Sequence, residues 1–560
     1  MPPRLKKQSG EKKSSFDRKP GHPETIQELE YWEVLHTRTF SFETCISLEE
    51  MSSRLLATKA CSNIICSAGW YCHLKDGQPV YDTLDIQAKP FADKGKVTLG
   101  EVEDDFTRVT LLMSVESLYT EQKFFSAEAL QSAKYIRCVF DPFYVEFSGK
   151  IIALYPNAKI YENGICTISL RILSGSQIQS LDEVADSVLG ISRQYFECVY
   201  TPSLIQERAT ATDVVSSFLK LNKGIHLTHS PESVGSVLLG SVLTNSELGR
   251  ETLYRKSEFH QIDGFAMLDY VWDTLQSYLD DVAFRPTKLN LRALKLRHSS
   301  RSHRWFGHPI VFILKWQDQP TKASEIDLAD KSVARLLAGR SDITPEAYSI
   351  VAQPMPRLFE DYRFFMTEGS SVYFASQQLI DNANKADSHF QRVTHSLLAN
   401  EELALWMIAS FQSLALRCKA ARSAQDIREL RRVFHDLESI RLRVSPYHEL
   451  ELLFTEYLTR FRINTDIQSI TNSLDQLDKE LKDTTNLRIA ALGLIATIVF
   501  GLLGSAQIAE WIFRPLRAAG GKLPTIGRLP QDTSDFVLAG FALLVSFGVS
   551  WLIVLKRTKK

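Results

Sequence analysis

Two long uncharged apolar runs lie near the end of a chain that is otherwise patterned like a globular protein. Neither the run from Ile489 to Ala509 nor the run from Phe536 to Leu555 contains a charged side chain. About 20 apolar residues in a helix span the ~30 Å hydrocarbon core of a bilayer. The pattern therefore predicts two transmembrane helices, over 489–509 and 536–555. A loop over 511–535 joins them, and a basic tail over 556–560 follows.

From about residue 388 onward, apolar positions recur only at helical spacing. This predicts a helical region over 388–445, ended by Ser445-Pro446, a pair that suits the N-cap and first residue of a new helix. No proline occurs between 447 and 514. The pattern therefore predicts one unbroken helix over 446–510, a stalk roughly 95 Å long that runs into the first span.

The earlier part of the chain mixes strand and helix patterns. Residues 25–205 and 206–387 are predicted as two consecutive α/β regions, preceded by a disordered basic tail over 1–24. Asn163-Gly164 between apolar alternations predicts a two-residue hairpin. Strands are predicted over 64–74, 107–115, 135–140, 145–154 and 309–316, and helices over 211–221 and 265–279. The predicted fold class is an α/β cytoplasmic region, then an all-helical stalk and two C-terminal transmembrane helices.

Composition and charge narrow the function classes. The 65 Lys and Arg balance the 66 Asp and Glu, so the whole chain has no polyanion-binding signature. The N-terminus lacks an apolar leader, and both predicted spans have basic flanks. We therefore expect a multi-pass protein of the plasma (inner) membrane with both termini in the cytoplasm and its eight cysteines as thiols. Cys61, Cys66 and Cys72 lack the close pairs of a zinc site, and HExxH and GxSxG are absent, so no enzymatic activity is expected.

Two lines of residues run along the predicted stalk. The first has the 4-3-4-3-4 spacing of a coiled-coil seam and predicts helix association, within one subunit or between copies: Ile463, Ile467, Ile470, Leu474, Leu477 and Leu481. The second changes from polar below the predicted membrane to small within it. It predicts these pore-lining residues: Asn486, Ala490, Gly493, Thr497, Gly501, Gly504 and Gln507.

The small-residue line also admits another interpretation. Small side chains inside a membrane permit close helix packing, without any pore. Two roles are also open for the Thr497 hydroxyl. It could hold water or an ion, or it could bond to a carbonyl of its own helix. The polar continuation of the line below the membrane favours the pore.

This arrangement over residues 388–560 resembles the CorA-type divalent-cation transporters. The shared features are a long stalk helix continuous with the first span, a short loop, a second span and a basic tail. The resemblance implies a homopentamer in the lipid bilayer, first spans that line the pore, and a divalent cation such as Mg²⁺ as cargo. The family's Gly-Met-Asn signature is replaced here by Gly504-Ser505-Ala506-Gln507, and the loop is basic. Both departures argue against magnesium selectivity.

A basic cluster with no acidic residue lies between positions 288 and 308. Guanidinium groups suit phosphate, and neighbouring aromatic rings can stack on bases, so a nucleotide messenger or another anionic ligand is one candidate occupant. A solvated basic face is the alternative. The candidate ligand-binding residues are Lys288, Arg292, Lys295, Arg297, Arg301 and Arg304.

Three functions compete on these patterns. The leading hypothesis is a CorA-like oligomeric ion channel or transporter with a large cytoplasmic regulatory domain. The alternative is a ligand-gated membrane effector on the same scaffold, for example in a defence or stress response. The third, an enzyme or scaffold merely tethered to the membrane, is disfavoured because a flexible linker would serve tethering better than an unbroken stalk.

Overall fold

The computed structural model describes most of the chain between residues 28 and 519. Residues outside the description are 1–27, 43, 62, 76–77, 84–104, 148–149, 175–177, 194–197, 203, 206–231, 235–252, 257–263, 285–303, 327–329, 345–359, 368, 386–389, 422–423 and 520–560. The predicted tail 1–24, helix 211–221 and second span 536–555 lie there. The chain forms two compact units, one of residues 1–416 and 433–467, the other of 417–432 and 468–560.

The described residues of the first unit form a fifteen-stranded sheet. The strands are β1 (Glu28–Ser41), β2 (Asn63–Cys66), β3 (Trp70–Lys75), β4 (Gln78–Thr83), β5 (Tyr135–Val139), β6 (Phe143–Phe147), β7 (Lys150–Tyr161), β8 (Ile165–Leu173), β9 (Gln179–Ser180), β10 (Cys198–Pro202), β11 (Glu232–Val234), β12 (Leu253–Lys256), β13 (Arg304–Trp316), β14 (Tyr362–Met366) and β15 (Ser371–Ala375). The main path runs β11-β12-β10-β6-β7-β8-β1-β13-β15-β14. Among the described pairs β13–β15 is parallel, and the others are antiparallel.

The described residues of the two units also form ten α-helices of six residues or more. They are α1 (Leu48–Ala57), α2 (Asp105–Phe124), α3 (Ala127–Ser132), α4 (Gly264–Phe284), α5 (Asp330–Ala338), α6 (Gln377–Lys385), α7 (Phe390–Ala420), α8 (Ala424–Leu442), α9 (His448–Arg460) and α10 (Ile463–Ala519). A short irregular helical segment, Leu181–Glu183, Val184–Val188 and Leu189–Arg193, follows β9, and a 3-10 turn, Ala323–Glu325, follows β13. From residue 390 onward the described chain is helical apart from short connections, in line with the helical pattern of the sequence.

The sheet joins the two α/β regions that the sequence separated at residue 205. Strand β13 pairs with β1 along most of its length, with Val34 opposite Val311. Residues 28–205 and 304–375 therefore contribute to one sheet, and the predicted boundary between two domains does not exist. The pattern of a strand shows which of its residues face the core, but it does not show which strand it pairs with or how far along the chain that partner lies.

Three local predictions differ from the structure. The predicted strand 64–74 is the antiparallel pair β2–β3, with Cys66 opposite Trp70. The β-branched run 107–115 is part of α2, because Val109, Leu112 and Val115 follow a helical spacing that outweighs β propensity. The predicted strand 145–154 is instead the pair β6–β7, with Phe147 opposite Lys150. The predicted helix 265–279 is confirmed as part of α4, and the strand 309–316 as part of β13.

The predicted hairpin at Asn163-Gly164 is confirmed, although its loop has three residues. Ile160 pairs with Cys166 across β7–β8, and Gly164 has φ +85°, a conformation that glycine adopts at no steric cost. A Cβ at Gly164 would lie 2.1 Å from the Thr44 carbonyl oxygen, so the close approach of the chain there also requires glycine.

The two faces of the sheet differ in chemistry. On β8, Cys166, Ile168 and Leu170 face the large apolar core shared with α1, α4 and α5, while Thr167 and Ser169 alternate with them on the opposite face. Both sets are buried. The second face of the sheet is therefore polar and buried. Side chains of helices α2, α7 and α9 contact it.

The stalk differs from the single helix predicted over 446–510. It consists of α9 and α10, separated at Phe461 and Arg462, and Arg462 has φ +56°. Ser445 is not an N-cap: its hydroxyl donates to the carbonyl of Phe124, and α9 begins at His448. In the second unit, Arg431 of α8 forms ion pairs with Asp475, at 3.4 Å, and with Asp478 of α10.

Candidate functional site

Helix α10 carries both lines of residues that the sequence singled out. Of the seam, Ile463, Ile470 and Leu474 are buried within this one chain. Of the predicted pore-lining residues, the four that the structure describes are all exposed: Asn486, Ala490, Gly493 and Thr497. A Cβ at Gly493 would meet nothing within 4 Å. Ile467, Leu477 and Leu481 of the seam are half-buried. The seam therefore packs in part within the single chain, and the described pore-lining residues form an exposed face.

The small-residue face is flanked by large apolar side chains that are also exposed. Leu487, Ile489, Leu492 and Ile495 are 58%, 61%, 64% and 55% exposed. Four such residues within nine positions of one helix form an apolar surface that needs a cover of lipid or protein.

The Thr497 hydroxyl has a partner inside its own helix. It donates to the Gly493 carbonyl at 2.7 Å, which is the local bond that threonine commonly makes in helices. That bond leaves the oxygen lone pairs of the hydroxyl available as acceptors.

Among the residues that the structure describes, no helix is both long and apolar enough to cross a membrane. Of the predicted pore-lining set, Gly501, Gly504 and Gln507 belong to α10, but their side chains lie outside the description. The part of the predicted loop beyond Ala519 and the whole predicted second span also lie outside the described residues.

The predicted basic cluster lies mostly outside the described residues. Lys288, Arg292, Lys295, Arg297 and Arg301 fall in the undescribed segment 285–303. Arg304 opens β13, opposite Phe40 of β1. His308, from the same stretch of sequence, is a buried member of the polar sheet face.

The cysteines are thiols, as expected. Cys61, Cys66 and Cys72 are buried, and burial raises the pKa of Cys66 to about 11. Within the described ranges no three potential metal-ligating side chains come together.

The structure also reveals an ionic cluster that the sequence did not single out. Arg137 of β5 stands directly opposite Lys159 of β7, and both side chains are buried. Like charges at opposed positions repel each other. Buried cations in this register therefore require carboxylates from outside the sheet.

Two helices supply those carboxylates. Glu402 of α7 accepts hydrogen bonds from Arg137 and, at 3.1 Å, from Lys159. Glu121 of α2 accepts from Lys159 at 2.7 Å and from the Tyr135 hydroxyl at 2.7 Å. Two cations thus meet two carboxylates, and the cluster joins α2 and α7 to the sheet.

The surroundings of Glu402 favour its ionised form. Burial alone would raise the pKa of Glu402, but Arg137 and Lys159 outweigh it, and the net effect is a lowered pKa. The Lys159 ammonium also lies 3.9 Å from the centre of the Tyr135 ring. Because its ionised groups are buried, the arrangement is suited to holding layers together and not to acting on a substrate.

A second polar group, the Glu401 cluster, consists of Glu401, His308, Ser371, Tyr373 and Tyr457. The Tyr373 hydroxyl donates to Glu401 at 3.0 Å and lies 2.8 Å from the Tyr457 hydroxyl. His308 Nε2 is 3.3 Å from Ser371 Oγ and 3.7 Å from Glu401 Oε2. Burial raises the pKa of Glu401 to about 7 and lowers the pKa of His308 to about 4. Between these values both groups are neutral, so their contact is not a charged pair.

The signal for both clusters was present in the sequence. Arg137 and Lys159 occupy inward positions of strands whose neighbours are apolar, and Glu401-Glu402 interrupts an apolar helix. Charges in such places are buried only when they are paired. What the sequence did not reveal is which charges meet, since the partners of Glu402 lie 265 and 243 residues away.

Comparison with known proteins yields one weak similarity. The chain is similar to the CorA magnesium transporter from Methanocaldococcus jannaschii, at 11% sequence identity over 44% of this chain and 90% of that chain, with a TM-score of 0.18. A TM-score this low carries no argument about fold or function. No protein-family model matches the sequence, and no curated protein matches it.

Proposed function

We propose that this protein is a CorA-like oligomeric ion channel or transporter of the inner membrane, with no enzymatic role. Residues 489–509 and 536–555 are the two spans, both termini are cytoplasmic, and five copies assemble around a pore. The large sheet-based unit is the regulatory part.

The observation that carries this proposal is the exposed apolar surface of α10. This helix contains the uncharged run 489–509, and it exposes four large apolar side chains: Leu487, Ile489, Leu492 and Ile495. A helix with apolar residues all round is stable only when it is covered. Lipid on one side and neighbouring copies on the other provide that cover. The second half of the run, from residue 498, has side chains outside the described set.

The small-residue line is the proposed pore wall. Its members leave space beside the helix, and the Thr497 hydroxyl, already donating to Gly493, can accept from water or approach a cation. Two helices per subunit are too few to enclose a pore, so the proposal requires self-association.

The test combines mass and accessibility. The full chain, with exposed Cys45 changed to Ser, receives a cysteine at Gly493, Thr497 or Ile495. Ile495 is the matched control, because helical geometry puts it about 160–200° away from both other positions. We expect a detergent-solubilised oligomer in which positions 493 and 497 react with a small hydrophilic thiol reagent and position 495 does not. A monomer or dimer, or preferential reaction at position 495, contradicts the proposal.

The second candidate is the ligand-gated membrane effector. The observation in its favour is that the stretch from Lys288 to Arg304 contains several basic residues and no acidic one, which suits an anionic ligand. Ion flux in liposomes that depends on an added nucleotide supports the effector, and flux without an added nucleotide supports the channel or transporter.

A further inference from the structure

The joint between α9 and α10, defined as residues 460–463, is a break that the local sequence does not require. No proline or glycine occurs between residues 447 and 492, so helix propensity alone favours one continuous helix. Arg462 instead adopts φ +56°, a conformation that is unfavourable for a residue with a Cβ. Tertiary contacts must therefore hold the joint in its broken form.

Contacts to the sheet supply that hold. The Phe461 ring lies 5.2 Å from the His308 ring, centre to centre. The guanidinium of Arg460 donates to the carbonyl of Met366 on β14. One turn earlier on α9, the Tyr457 hydroxyl meets the Tyr373 hydroxyl, which donates to Glu401. Phe461 and Tyr457 thus fasten the end of α9, on the N-terminal side of the break, to the Glu401 cluster.

Glu401 is the group at the centre of this fastening. Its side chain is fully buried on α7. The titratable groups that face it are His308 on β13, Tyr373 on β15, Tyr457 on α9 and, by electrostatic influence, Tyr362 on β14. Hydroxyl groups can solvate an ionised carboxylate only in part, and none of these partners is a permanent cation.

We propose that Glu401 is a proton-binding site that latches the joint. The protonated carboxyl fits the buried cluster and keeps α9 and α10 as two helices, whereas loss of the proton puts an uncompensated charge there and releases the joint. Once released, residues 460–463 can lose their ordered conformation, or they can become helical and connect α9 and α10 into one helix.

Titration gives the direction of the effect. Burial raises the pKa of Glu401 from 4.5 to about 7, so the closed joint binds this proton more tightly than an open, hydrated one. Closure is therefore weakened as pH rises through this range. His308 acts in the opposite sense, since burial lowers its pKa from 6.5 to about 4 and its protonation at low pH favours opening.

The experiment is hydrogen–deuterium exchange of the full chain at pH 6 and pH 8.5, corrected for intrinsic rates. Peptides over 457–467 report the joint, and peptides over 150–173 report global opening. Wild type is compared with Glu401→Gln, a neutral mimic of the protonated carboxyl, and with Glu429→Gln, an exposed carboxylate, as the control. This readout needs no ion flux, so the inference stands or fails independently of the proposed function.

The comparison cancels the opposing contribution of His308. With a Glu401 pKa of about 7 when closed and 4.5 when open, the opening equilibrium of wild type relative to Glu401→Gln should rise about tenfold from pH 6 to pH 8.5. Glu429→Gln should follow wild type. A wild-type to Glu401→Gln ratio that is equal at the two pH values overturns the proposal.

A second variant keeps the proposal testable if Glu401→Gln fails to fold. Tyr457→Phe removes one hydroxyl that lowers the pKa of Glu401 and keeps the ring. The pH midpoint at which the joint loses protection should then move upward. An unchanged midpoint contradicts the latch.

Discussion

At the scale of single residues, the polar face of the sheet depends on a few carboxylates. Glu402 is the clearest example, because it accepts from both Arg137 and Lys159 in a buried setting. A buried ion pair adds little over an apolar core, but removal of one partner leaves a charge without compensation.

We therefore expect Glu402→Gln to lower the free energy of unfolding by about 3–5 kcal/mol at pH 7. The lowered pKa of Glu402 means that its stabilising contribution is present above the ordinary value of 4.5 and is lost as pH falls through the folded-state value. The gap between wild type and variant should narrow in acid. Denaturant unfolding at pH 7 and pH 4 measures both effects. The exposed Glu429→Gln serves as control, and an equal loss in that variant would refute a specific role for Glu402.

At the scale of elements, the break between α9 and α10 shows tertiary contacts overriding helix propensity. The sequence over 446–510 has every local feature of one helix, and the structure divides it at Arg462. The Thr459 carbonyl accepts from the Arg462 N–H at 3.0 Å, which closes the last turn of α9.

This geometry predicts how glycine is tolerated. Arg462→Gly should change the free energy of unfolding by less than about 1 kcal/mol, because glycine adopts φ +56° without strain. Gln468→Gly, at an exposed position inside α10, should cost about 1 kcal/mol. Thermal unfolding followed by circular dichroism compares the two. If Arg462→Gly is the more damaging substitution, the break is not held in the conformation described.

At the scale of the whole molecule, the exposed apolar surface of α10 connects the fold to the proposed membrane role. We expect Leu492→Asp with Ile495→Asp to remove the protein from the membrane fraction, since a charge inside a span is unfavourable, by up to about 2.5–3.5 kcal/mol at the centre of the span. Asn486→Asp, on the polar part of the same helix, should leave fractionation unchanged. A double variant that still sediments with membranes, and resists alkaline extraction, contradicts residues 489–509 as a span.

The sequence by itself determined the features set by local pattern. It predicted the α/β character, the hairpin at Gly164, helix α4, the helical region after residue 388 and the buried thiols. Each depends on the period of apolar positions or on one residue's conformational freedom, which neighbouring residues reveal.

Tertiary structure alone decided what depends on distant pairing. It merged the two predicted α/β domains through β1 and β13, and it brought Arg137, Lys159, Glu121 and Glu402 together. It also broke the stalk at Arg462. There the contacts of Phe461 with His308 and of Tyr457 with Tyr373 outweigh helix propensity. A strand or helix records its own periodicity in its sequence. Its partner is chosen only when one packing buries the apolar surface and also neutralises the buried charges.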